Sequence, residues 1–221
     1  MPEATHSHPA FPDYTRAERR ADTVVHVLSV GGALAGVGYI AVILGDLAWR
    51  PAVSLAVYGL SLLLTLSLSA AYNLAVRPGR KEILRRFDHA AIFVLIAGSY
   101  TPLGVVIVGG ATGTTLAIAV WGLAVIGIAL KLLFPRRFEK TAILLYLLQG
   151  WLLLFAANSV LAAMADDVLI LIAIGALLYT LGVGFHIMSR LPFHNAIWHA
   201  FVLAAAACHY AAFVDAAVPA P

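Results

Sequence analysis

The sequence predicts an all-α integral membrane protein, a bundle of seven transmembrane helices with its N-terminus in the cytoplasm and its C-terminus outside. Three observations carry this. The 221 residues are 62% hydrophobic and 11% charged, with a mean hydropathy of +0.93, far more apolar than a soluble globular domain. The apolar residues gather into seven runs, each about as long as the ~20 helical residues that cross a ~30 Å hydrocarbon core. Of the 14 Lys and Arg residues, all but Arg50 fall in alternate gaps between those runs.

Taken in order, residues 1–22 are a cytoplasmic polar tail and basic approach segment, extended by three prolines before a short basic helix. Its His6 and His8 are a sparse metal candidate, two imidazoles without a further partner. The first apolar run is long and is followed by six more, which fits a retained anchor better than a cleaved leader. The seven runs occupy residues 24–48, 52–75, 89–109, 112–134, 142–163, 168–188 and 196–214, within a transmembrane domain spanning 23–215. Backbone groups in lipid have no water to bond, so each run is expected to be a helix. Residues 216–221 are left as a short external tail.

The gaps orient the bundle. Arg16, Arg19 and Arg20 precede the first run, and five basic residues from Arg77 to Arg86 follow the second. Lys131, Arg136, Arg137 and Lys140 follow the fourth, and Arg190 the sixth. The intervening gaps hold Arg50, the uncharged stretch 109–111, and Asp166 with Asp167. The positive-inside rule puts the basic gaps in the cytoplasm. A pI near 9.2 therefore reflects topology and anionic lipid, and no nucleic-acid partner is expected. Cys208, the only cysteine, lies inside the last run, so no internal disulfide can form. No internal repeat is visible, and the short loops leave no room for a second domain.

Polar groups are costly in lipid, so those inside the runs are the candidates for function. His26 starts the first span, Ser69 and Asn73 end the second, and Asp88 with His89 open the third. His186 ends the sixth, and His194, Asn195 and His199 open the seventh. Five helices thus place polar side chains in one inner-leaflet layer. Ser69 and Asn73, like Asn195 and His199, are four residues apart and share a helix face. Asp88, Ser69 and His199 are expected to cluster with Asn73 and Asn195. Simpler roles remain open: headgroup contact for His26, His186, His194 and Asn195, a back-bonded hydroxyl for Ser69, a helix N-cap for Asp88. His209, ~15 Å beyond His199 along the axis, is too far to join the cluster.

The residues 81–103, KEILRRFDHAAIFVLIAGSYTPL, closely resemble the third-helix signature of the bacterial hemolysin III family. NAIWHAFVLAAAACHY at 195–210, SAAYN at 69–73 and DTVVH at 22–26 are similar to its last-helix, second-helix and entry motifs. That family is grouped with the progestin and adiponectin receptors and is distantly similar to alkaline ceramidases. The resemblance implies seven helices and a zinc ion near the cytoplasmic face. Its ligands are a histidine four residues after a serine in the second helix and two histidines in the seventh, with a third-helix aspartate holding a water. Ser69, Asp88 and His199 match this pattern, whereas the other two ligand positions carry Asn73 and Asn195. An amide oxygen is a poor zinc ligand, so zinc is expected to bind weakly or not at all. A set rearranged around His26, His89 or His186 is the alternative; His194 lies about 140° round the helix from His199.

Three functions compete. The first is a non-catalytic protein of the hemolysin III type, engaged in membrane sensing or homeostasis with lipids as its partners, in the bacterial cytoplasmic membrane. The second is a zinc-dependent lipid amide hydrolase, ceramidase-like, with Asp88 orienting a metal-bound water and Ser69 bonding the developing oxyanion. The third is a proton or ion conduit along Asp88, His199 and His209. No separable amphipathic segment offers a mechanism for membrane lysis.

Overall fold

The computed structural model describes residues 14–218, and all regular structure among them is helical. The His6 and His8 pair, most of the N-terminal tail and the last three residues lie outside the described residues. Seven spans are long and apolar enough to cross a membrane, and the protein is a multi-pass integral membrane protein. α1 (Arg16–Ile43) runs on through a 3-10 turn at Leu44–Asp46. α2 is Trp49–Leu74, and α3 is Pro78–Pro102 with a π-helical turn at Leu103–Val108. α4 is Gly110–Leu133. The fifth span is built from α5 (Glu139–Gly150), a 3-10 segment at Leu152–Ala156 and α6 (Ala157–Ala163). α7 (Asp166–Ile187) and α8 (His194–Ala217) complete the bundle.

Local chemistry sets the ends that matter. Thr15 caps α1 in a capping box, its hydroxyl accepting from Glu18 N while Glu18 Oε2 accepts from Thr15 N. The basic approach segment is thereby one helix with the first span, and Asp22 lies inside it. Pro78 sits in the first turn of α3, where its missing N–H costs nothing. α3 therefore begins well before Asp88, which overturns the N-cap reading of that residue. Between the third and fourth spans the chain reverses through Gly109 (φ 63°) and Gly110 (φ 57°), a left-handed pair that side chains would strain.

The run at 142–163, expected as a single helix, is interrupted. Tyr100 explains how the freed backbone is satisfied: its hydroxyl donates to Gly150 O at 2.9 Å and accepts from Leu153 N at 2.8 Å. Trp151 Nε1 donates to Thr180 Oγ1 at 3.0 Å from the same break. A broken span is tolerated in lipid where such partners replace the lost helical bonds.

The second and third spans form the centre, and the first and fifth are the most lipid-facing. Gly98 of α3 is close-packed on α2: a Cβ there would run into Ser61 Oγ. Small residues at such contacts let helices approach where no hydrophobic force drives them together. Polar cross-ties supplement the packing. Gln149, fully buried, donates to Phe93 O and Val120 O, and Tyr210 OH donates to Gly36 O at 2.7 Å. At the end bearing the basic loops, Glu139 accepts from Arg85 and Lys131, both at 2.7 Å, and Glu82 accepts from Arg136. Buried charges persist only when paired in this way.

Candidate functional site

At the same end of the bundle α1, α2, α3 and α8 bring polar side chains together below the basic loops. Asp22, His26, Ser69, Asp88 and His199 are all buried, His26 the most deeply at 2% exposed. Asp22 Oδ1 lies 2.7 Å from His199 Nδ1. A carboxylate can only accept, so Nδ1 carries the proton and the Nε2 lone pair is turned away from Asp22. That nitrogen faces Ser69 Oγ at 3.4 Å. His26, one turn along α1 from Asp22, places Nε2 3.5 Å from Asp22 Oδ2, and its ring lies against that of His199 with centroids 4.3 Å apart.

The two asparagines meet directly. Asn195 Nδ2 donates to Asn73 Oδ1 at 3.1 Å and to Asp22 Oδ2 at 3.2 Å, one bond from each amide hydrogen. Asn73 Nδ2 in turn donates back to Ser69 O at 2.9 Å. One hydrogen-bonded chain therefore runs from Ser69 through Asn73 and Asn195 to Asp22 and His199. Asp88 adjoins it beside Ser69, with the imidazoles of His89 and His199 nearby.

The remaining histidines have separate surroundings. His89 Nδ1 faces Glu139 Oε2 at 3.5 Å, in the ion-pair cluster of α3, α4 and α5. His186 is exposed at the end of α7, with its ring against Trp198. His194 Nε2 is 3.5 Å from Tyr14 OH. Burial, with the Asp22 and Glu18 carboxylates nearby, pushes the Tyr14 phenol up to about 12, so it stays neutral. His209 is bonded to Ile172 O at 3.2 Å, deep among apolar residues. The headgroup reading of His26 is overturned by its burial, and Ser69 bonds across to α8 instead of back along its own helix.

Asp22 is the residue that sequence reasoning passed over. Its signal was present, because Asp22 and His26 are four apart and share a face of α1. It was masked by its position at the end of a stretch read as tail. Asp22, His26 and His199 offer ligand atoms within 4.8 Å of one another and form a buried group able to hold a metal ion.

A cavity of about 430 Å³ opens from this cluster into the bundle, within the ~300–1,000 Å³ of small-molecule sites. His26, Ser69, Asn73, Asp88, Asn195 and His199 line its polar end. Leu95, Leu103, Ile172, Val202 and Phe213 line its apolar depth.

Comparison with known proteins places this arrangement. The chain is similar to the "Hemolysin-3 homolog" of Bacillus subtilis (strain 168), 34% identical over 199 residues that cover 89% of this chain and 93% of that one. Similarity to "Hemolysin-3" of Bacillus cereus is 37% over 155 residues, 70% of this chain and 71% of that one. The human "Monocyte to macrophage differentiation factor" is 28% identical over 216 residues, covering 93% and 87%. Among solved structures, that of a thermophilic rhodopsin superposes with a TM-score of 0.52 at 16% identity over 94% of this chain and 93% of that one, a likeness of fold alone. A family profile described as "Haemolysin-III related" matches residues 16–210. Seven helices of this pattern, matched by that profile from the first span into the last, make the chain a member of the hemolysin III family.

Proposed function

We propose that this protein is a non-catalytic lipid-binding member of its family, acting in membrane sensing or homeostasis from the bacterial cytoplasmic membrane. The observation that carries the reading is the direct bond between Asn195 and Asn73 at the polar end of the cavity. The resemblance expects two zinc-ligating imidazoles at those positions. Two amides that satisfy each other do not fit that ion, and the remaining histidine, His199, turns its Nδ1 to Asp22. The zinc-dependent hydrolase reading is weakened accordingly, since Asp88 and Ser69 are left without a family-type metal to work beside. A continuous polar network above an apolar cavity suits an amphipathic lipid, its polar head at the Asn–Asp–His chain and its hydrocarbon among Leu95, Leu103 and Ile172. The conduit reading draws less support. Ser99 and Thr180, both in the cavity wall, bond their hydroxyls to their own helices at Leu95 O and Ala176 O.

Native mass spectrometry of the purified protein, paired with a hydrolysis assay on long-chain amides with and without added zinc, tests this. A retained lipid and no turnover are expected, with the lipid lost when Ser99→Trp fills the cavity. Zinc-dependent cleavage of the amide would replace this reading with the enzymatic one.

A further inference from the structure

We infer that Asp22, His26 and His199 form a binding site for a first-row divalent transition metal of the zinc class, sharing only His199 with the family's ligand positions, and that the ion fastens α1 to α8. His26 begins the argument. Its Nε2 is buried without a hydrogen-bond partner among the described residues, a cost that a bundle ordinarily avoids. The nearest acceptor, Asp22 Oδ2 at 3.5 Å, is close to the ~3.3 Å that separates two tetrahedral ligand atoms with bonds of ~2.0 Å. His26 Nε2 and Asp22 Oδ2 are thus spaced as co-ligands.

His199 supplies the third ligand by exchanging a proton for the metal. Its Nδ1 is 2.7 Å from Asp22 Oδ1, a hydrogen-bond distance shorter than two ligands of one ion adopt. To hold a metal through Nδ1 the ring would carry its proton on Nε2 instead, where Ser69 Oγ, 3.4 Å away, would accept it. The imidazole stays neutral, no net proton is released, and Asp22 and His199 part by about half an ångström. Asn195, which departs from the family ligand pattern, becomes the group that orients the Asp22 carboxylate through its 3.2 Å bond. Two imidazoles and one carboxylate select zinc-class ions over magnesium or calcium. His26 and His199 both line the cavity, so an ion held between them would be within reach of a ligand entering there.

The inference does not rest on the lipid reading. Full-length protein in detergent, stripped with a chelator, would be titrated with cobalt(II) and followed by visible absorption, with zinc affinity measured by competition. About one tetrahedral cobalt per chain is expected. His26→Gln and Asp22→Asn should each weaken binding by about a hundredfold or more, whereas Thr114→Ala, on the exposed start of α4 where the hydroxyl bonds only Gly110 O, should leave it within about threefold. Should those two variants fail to fold, His26→Cys retains a zinc-class ligand and should add a thiolate-to-cobalt charge-transfer band. No cobalt bound by the unchanged protein, undiminished binding by His26→Gln, or a folded, cobalt-loaded His26→Cys without that band would each overturn the site. Cobalt binding and lipid retention are both read on the unchanged protein, by absorption and by native mass spectrometry, so the two readings fail separately.

Discussion

Asparagine at positions 73 and 195 shows how a pair of substitutions can remain matched to each other. Each amide has both donor and acceptor capacity, so the pair closes on itself and on Asp22. A single return to histidine would break that match, while a double return would place two imidazoles on the face of His199. Asn73→His combined with Asn195→His is expected to raise zinc affinity by at least about tenfold over either single change, measured by chelator competition. In the double variant His26→Gln should no longer remove the metal, because His199 would then have the two restored partners. A double variant no tighter than the singles would show that the surrounding groups do not support a family-type ion.

At the scale of elements, helix boundaries decided more than helix existence. The spans were legible because lipid imposes a length and an apolar composition on each. The start of α3 was not legible in the charged stretch 79–86, where apolar periodicity ends but the helix continues from Pro78. The break in the fifth span was equally hidden, since it depends on Tyr100 of another helix. Close packing gives a direct test of the α2–α3 contact. Gly98→Val would drive its side chain into Ser61 and is expected to destabilise the bundle by about 1–3 kcal/mol. Thermal unfolding in detergent should show the loss, and pairing it with Ser61→Gly should recover part of it. An unchanged melting temperature would mean that the two helices separate at no cost there.

For the whole molecule, the asymmetry of charge between the two ends is the orienting feature. Asp22, Asn73, Asp88 and Asn195 lie at the end that carries the basic loops, so orientation in the membrane decides in which leaflet the polar end of the cavity lies. The expected arrangement is the N-terminus inside and the C-terminus outside. In spheroplasts, external protease should remove a C-terminal tag and spare an N-terminal one. The opposite pattern would turn the site towards the outer leaflet.

Sequence by itself determined the class, the number of spans and the layer that holds Ser69, Asn73, Asp88, Asn195 and His199. Those follow from hydropathy, charge and i to i+4 spacing, which are properties of the chain read along its length. Only the tertiary structure decided which groups touch. Asp22 pairs with His199 across 177 positions, and Asn195 with Asn73 across 122. Such pairings depend on how α1, α2 and α8 rotate about their own axes. Small-residue packing and interhelical hydrogen bonds set that rotation jointly, and no local pattern in any one helix encodes it.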